Sequence, residues 1–180
     1  MLSKKMESAL NEQINKEMFS GYLYMSMSNQ TAMMGLKGIS SWFMVQYHEE
    51  MVHAMKIYEY IGRHGGSVRL EAIAKPDSEF KSVLDMFEKT LEHERFVTKS
   101  INELMDIAIA EKDHATQAFL AWYVTEQVEE EEAPTDIIQK LKLIGNNTGA
   151  LYVLDSELGA RTVNVPTDFS KGVEAAMGAA

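Results

Sequence analysis

Glu50 and His53, in the stretch HEEMVH, stand three residues apart. On an α-helix such residues are neighbours on one face. A carboxylate beside an imidazole can grip one transition-metal ion. Helical Glu-x-x-His pairs also arise by chance on wet faces, so the register of the pair decides its meaning. Stepping by seven, Phe43, Glu50 and Ile57 fall on one line, flanked by Ile39, Tyr47, Ala54 and Ile61. Glu50 therefore points where a core residue belongs. A buried, unpaired carboxylate is costly, so it needs a cation, a proton or a partner.

Three other segments repeat the pattern. Leu10, Glu17, Tyr24 and Thr31 make one seven-residue line, with Ile14 and Gly21 beside Glu17. Phe80, Phe87, Glu94, Ile101 and Ala108 make another, in which a single glutamate interrupts an apolar row. Thr116, Tyr123, Glu130, Ile137 and Ile144 make the last, and beside it run Leu120, Gln127, Pro134 and Leu141. Bland readings exist for each: a solvated glutamate for Glu17, a structural salt bridge for Glu94, an exposed charge run for Glu129 to Glu132. Glu131 and Glu132 fit that last reading. Glu111 and His114 form a second Glu-x-x-His, but Asp113 reads as a helix N-cap that puts them on either side of a boundary.

The elements that must position these groups are long helices. Only three prolines and 11 glycines punctuate 180 residues. Helices are expected over 4–34, from Ser40 or Ser41 to His64, over 79–109 and over 114–144, with a short fifth over 148–158. Ser3 is a candidate cap for the first, Asp77 or Ser78 for the third. Pro134 removes the helical bond to the carbonyl of Glu130, and a kink is expected there. Residues 65–79 lack helical periodicity. About 25 helical residues span ~38 Å, and fifteen extended residues cover ~50 Å, so this connection can run the bundle's whole length and join parallel neighbours. The expected fold is all-α: one domain over residues 1–160, with a four-helix bundle over 4–144, followed by a C-terminal tail over 161–180.

Composition narrows the chemistry. Hydrophobic residues are 46% and charged residues 24%, the balance of a globular domain. A net charge of −10 argues against a nucleic-acid partner and suits a cation-attracting surface. No run of about 18 apolar residues offers a membrane span, the first residues carry no apolar signal region, and the expected location is the cytoplasm. With no cysteine, metal binding falls to carboxylates and imidazoles, which favours iron or manganese over structural zinc.

Glu17, Glu50 with His53, Glu94, and Gln127 with Glu130 approach the di-iron arrangement, in which two helices give one glutamate and two give Glu-x-x-His. Position 130 departs from it, being Glu and not His. The four glutamates carry the charge that two divalent ions neutralise. Glu50 is the natural bridge, with Glu17 and His53 completing one ion's shell and Glu94 and Glu130 the other's. Glu49, Glu126 and Glu129 flank the set, either as a looser third ion site or as exposed charge. Tyr24 is either a hydrogen-bonding partner and electron donor or plain core packing.

The motifs NEQINKE, HEEMVHAMKIYEYI, LEHE, FLAWYVTEQVEEE and LYVLDSEL together resemble the ferritin family, specifically its bacterial non-haem branch, over about residues 1–160. The resemblance implies a ferritin-like four-helix bundle with a long crossover between helices 2 and 3 and a short fifth helix. It implies iron storage in a hollow homo-oligomeric shell of twenty-four subunits, with Fe(II) and dioxygen or hydrogen peroxide as reactants. By the same resemblance Glu17, Glu50 and His53 bind a first iron, and Glu50, Glu94 and Glu130 a second, with Gln127 beside them. Glu49, Glu126, Glu129 and Glu130 match a third site. Met51 lies near the haem-ligand position of bacterioferritins but Val52 follows it, so no haem is expected. A non-storage di-iron peroxidase or oxidase, and a structural assembly with protonated or salt-bridged glutamates, are the competing functions.

Overall fold

A computed structural model describes residues 1–173. Five helices occupy it: α1 (Lys4–Met33), α2 (Lys37–Arg63), α3 (Val83–Glu111), α4 (His114–Ile144) and α5 (Thr148–Leu158). No strand occurs among the described residues, and none of the helices is long and apolar enough to cross a membrane. Helix α1 packs along α2, α3 along α4, and α1 against α3, while α5 sits against α2 and α4.

The caps follow from side-chain chemistry, with one exception. The Ser3, Ser82, Asp113 and Asn147 side chains accept backbone N–H groups at the starts of α1, α3, α4 and α5. Gly35, at a φ of +83°, ends α1, and Leu36 N–H returns to the Thr31 carbonyl. Helix α2 begins at Lys37, earlier than Ser40 or Ser41, and Leu36 before it supplies no side-chain cap. The missing acceptor comes from elsewhere: Asp155 of α5 takes the Ile39 N–H at 2.8 Å. That contact requires Gly38, because a Cβ there would stand 1.7 Å from the Asp155 carbonyl oxygen.

Helix α3 begins at Val83, later than expected. Ser82 caps it, and Asp77 instead pairs with Lys89 at 2.6 Å. Phe80 precedes the helix yet is buried in the core. Helix α4 continues through Pro134, where the Thr135 hydroxyl donates to the Glu131 carbonyl at 2.6 Å.

The crossover between α2 and α3 is irregular and runs beside α1. Polar side chains spaced along α1 hold it in sequence. Asn11 bonds the Ser67 carbonyl and Arg69 N–H, Asn15 the carbonyls of Glu71 and Ala72, Ser26 that of Asp77 and Gln30 that of Phe80. The order of these bonds carries the chain from one end of the bundle to the other, so α3 starts at the end where α2 starts.

The apolar core is split in two. Leu23, Tyr24, Met27, Phe43, Phe87 and Ile137 belong to one cluster, which also receives Leu154 and Leu158 of α5. Leu10, Ile14, Ile57, Ile101, Leu120 and Tyr123 belong to the other. On every long helix the dividing residues are polar and buried: Glu17, Glu50 with His53, Glu94, and Gln127 with Glu130.

Candidate metal centre

Each helix delivers its polar residue to the same layer because the apolar rows above and below fix its rotation. Glu17, Glu50, His53, Glu94 and Glu130 are all buried. Ligand atoms of Glu17, Glu50 and His53 lie within 4.8 Å of one another, as do those of Glu50, Glu94 and Glu130. Glu50 belongs to both groups and so stands between them.

The carboxylate oxygens are unequally satisfied. Glu17 Oε1 accepts from the Gln13 amide at 2.9 Å, and Gln13 is itself held by the Ser100 hydroxyl at 2.6 Å. Glu17 Oε2 and Glu50 Oε2 have no hydrogen-bond partner. His53 Nδ1 is 3.4 Å from Glu50 Oε2 without bonding it, which is the separation of two ligands facing a common ion rather than each other. Across the layer, Glu94 receives the Tyr24 hydroxyl on Oε1 and the Gln127 amide on Oε2 at 3.4 Å. Gln127 also donates to Thr98 Oγ1 at 3.1 Å. Glu130 Oε2 accepts from the Gln46 amide at 2.7 Å.

Without a cation this layer is strained electrostatically. Burial pushes the Glu50 carboxyl well above its ordinary range, and repulsion from Glu94, Glu17 and Glu130 adds to the shift. Burial raises Glu94 to about 7, although the Tyr24 and Gln127 hydrogen bonds oppose it. Glu130 rises to about 8 through burial and the charge on Glu94. Burial, then the charges on Glu94 and Glu50, hold the Tyr24 phenol protonated far beyond its usual range. A pair of multivalent cations removes these penalties by substituting for protons. The donor set, four carboxylates and one imidazole with two orphaned oxygens aimed inward, fits hard or borderline ions such as iron.

The flanking acids separate. Glu126 is half-buried, 4.0 Å from His53 Nε2, and groups with His53 and Glu130. Glu129 is exposed. Glu49 is paired with Arg161 at 2.6 Å. The structure thus brings Glu126 and Glu130 together, and leaves Glu49 and Glu129 outside their group. Glu131 bonds Thr98 at 2.7 Å and lies 3.6 Å from Arg95, so it is tied down rather than merely solvated. Glu111 accepts the Ser3 hydroxyl at 2.6 Å and ends α3, while His114 begins α4 across the Asp113 cap, so this second Glu-x-x-His is divided by a helix boundary.

Three residues touching the centre escape a reading based on heptad lines: Gln13, Gln46 and Arg161. The first two had a signal. Each lies one helical turn before a buried glutamate, Gln13 before Glu17 and Gln46 before Glu50. Arg161, in an aperiodic stretch, had none. A cavity of about 380 Å³ opens between α3 and α4, lined in part by Thr98, Asn102, Gln127 and Glu131, and Gln127 also donates to Glu94.

Comparison with known proteins finds relatives over most of the chain. Residues 7–144 match the ferritin-like domain family. The chain is 45% identical over 155 residues to a bacterial non-heme ferritin of Campylobacter jejuni, covering 86% of this chain and 93% of that protein. It is 40% identical over 162 residues to one of Staphylococcus aureus, covering 90% and 98%. Among solved structures, an open-pore ferritin from the archaeon Archaeoglobus fulgidus superposes with a TM-score of 0.89 at 51% identity, over 90% of this chain and 100% of that one. With this similarity spanning the helices that carry the buried carboxylate layer, the chain belongs to the ferritin family.

Proposed function

We propose that the protein stores iron, oxidising Fe(II) at the buried carboxylate layer and releasing Fe(III) to a mineral held inside a multi-subunit shell. The observation that carries this reading is the pair of orphaned oxygens, Glu17 Oε2 and Glu50 Oε2, facing His53 in a layer where four helices each bury a glutamate. Ferritin relatives at 40–45% identity support the storage role. Fe(II) is substrate here, not a resident cofactor.

In this reading Glu17, Glu50 and His53 hold one Fe(II), and Glu50, Glu94 and Glu130 the other. Two Fe(II) ions give one electron each, reducing dioxygen to hydrogen peroxide or hydrogen peroxide to water, with protons completing either product. Carboxylates protonated in the empty layer lose their protons as the ions bind. Tyr24 and Gln127 hold Glu94, and Gln46 holds Glu130, so the second ion meets ligands already engaged by neutral donors. Such ligands bind less tightly, which favours onward movement of Fe(III). In the same reading Glu126 receives a departing ion or orients the imidazole, which its oxygen 4.0 Å from His53 Nε2 supports.

Exposed apolar side chains, among them Tyr22 and Met25 of α1, Tyr58 of α2, Leu143 of α4 and Tyr152 and Val153 of α5, support subunit association. The particle is expected to be a shell of twenty-four copies. The test is stepwise aerobic Fe(II) addition to the metal-free protein, followed by absorbance with particle mass in parallel. Saturation of a fast phase at two Fe(II) per subunit, then slower uptake of many more by a large particle, is the expected result. Isolated monomers or dimers that oxidise Fe(II) but retain none would replace storage with a peroxidase or oxidase role.

A further inference from the structure

Arg161 lies three residues beyond the end of α5, and its position is set by how α5 docks. Asp155 caps Ile39 of α2, and Gly38 and Gly159 let the two backbones meet. Arg161 N–H turns back onto the Leu158 carbonyl at 3.2 Å. The side chain then reaches across the α2 surface. Its guanidinium lies 4.9 Å from the centre of the buried Trp42 ring, a cation–π seat. One nitrogen donates to Glu49 Oε2 at 2.6 Å, and the other to Gln46 Oε1. Gln46 in turn donates to Glu130 Oε2 at 2.7 Å. Further along, Val173 N–H bonds Glu59 Oε1 at 2.6 Å, so the stretch after Arg161 is tied to α2 as well.

We propose that Arg161 is a tethered cation that takes the place of a third metal ion at Glu49, leaving each subunit with a two-ion centre. The inference rests on the metal-centre reading above. Three observations carry it. The charges balance: the four glutamates of the buried layer, Glu17, Glu50, Glu94 and Glu130, match two divalent ions, and Glu49 is matched by a guanidinium that is never deprotonated. The bidentate grip uses both the Glu49 carboxylate and the Gln46 amide, so Glu49 is turned toward the tail and Gln46 toward Glu130. Among the described residues, the remaining group of candidate ligands, His53 with Glu126 and Glu130, shares two of its three members with the two-ion centre and offers no independent third set. Arg161 is thus a positioning residue, acting on Glu130 through Gln46.

The test is a titration of the assembled, metal-free, full-length protein with Co(II), a redox-inert probe under anaerobic conditions, counting the ions retained per subunit at saturation by equilibrium dialysis. Two per subunit are expected for the wild type, three for Arg161→Gln, and two for Arg161→Lys, which restores the positive charge. Particle mass verifies assembly of each variant. Three retained ions in the wild type overturn the inference without any variant being needed. Two in Arg161→Gln, or three in Arg161→Lys, also overturn it. A wild type retaining no ion pair would instead sink the reading of the centre itself.

Discussion

On the α1–α2 side of the layer, Glu17 and Glu50 each keep an oxygen with no hydrogen-bond partner, and an imidazole faces them. On the α3–α4 side, Glu94 is held by Tyr24 and Gln127, and Glu130 by Gln46. The formal charge of the two sides is equal, two glutamates each. The difference lies in what desolvation leaves unmet. An orphaned buried carboxylate oxygen is expensive, so the α1–α2 side gains most from a cation. The other side has part of that demand met by neutral donors. One side is therefore expected to hold its ion firmly and the other to exchange it, from the same residue type.

The most damaging way to break the contrast is to remove the residue common to both sides. Glu50→Ala is expected to lower initial Fe(II) oxidation by about 100-fold or more, since even partners of ligands cost 10–100-fold. Stopped-flow absorbance measures this, and a rate near wild type would refute the bridging assignment. Next come the single-sided ligands. Glu130→Ala should slow oxidation by about 10-fold or more and abolish only the weaker of two Co(II) binding steps. Glu129→Ala, at an exposed position, should stay within about twofold. Equal initial rates for these two variants would remove Glu130 from the centre.

Acidity offers a third probe. Burial raises the carboxyls of Glu94 and Glu130 to about 7 and about 8, and pushes Glu50 well above its ordinary range as well. The folded, metal-free state therefore holds protons that the unfolded chain releases nearer 4.5. Stability from these groups is fully present below that unfolded value and is lost as pH rises through the folded ones. The metal-free protein should melt at lower temperature at pH 8 than at pH 5.5, and Co(II) should reverse the loss at pH 8. A melting temperature that climbs with pH in the absence of metal would contradict the shared burial of the acids. The smallest effects belong to the neutral donors. Tyr24→Phe and Gln13→Leu should each change Co(II) affinity by about 10-fold or less. Tyr24→Phe should act on the weaker step and Gln13→Leu on the tighter one, as read by calorimetry.

The inward glutamates were readable because helical register is a local property. A single glutamate between Phe87 and Ile101 has its direction set by its neighbours on the same helix. The ends of α1 and α5, and the start of α4 at Asp113, were readable for the same reason, since caps act within a few residues. The start of α2 was not, because its acceptor, Asp155, arrives from a helix more than a hundred residues later. Phe80 sat on the right heptad line for α3, but it buries its ring from the crossover rather than from the helix. Gln13 and Gln46 carried a faint signal, one turn before a glutamate. That spacing could not tell that Gln13 serves its own helix's Glu17 while Gln46 reaches Glu130 on α4.

The amino-acid order by itself determined four amphipathic helices, each with a carboxylate on its apolar side. It also determined a net charge that draws cations. Which oxygens end up without partners, and which are held by a tyrosine, a glutamine or an arginine from a distant segment, was decided only when the helices packed. Heptad spacing fixes the direction of a side chain about its own axis. The distance between side chains on different helices depends on the crossover laid along α1 and on α5 docking against Gly38, contacts that no window of neighbouring residues encodes.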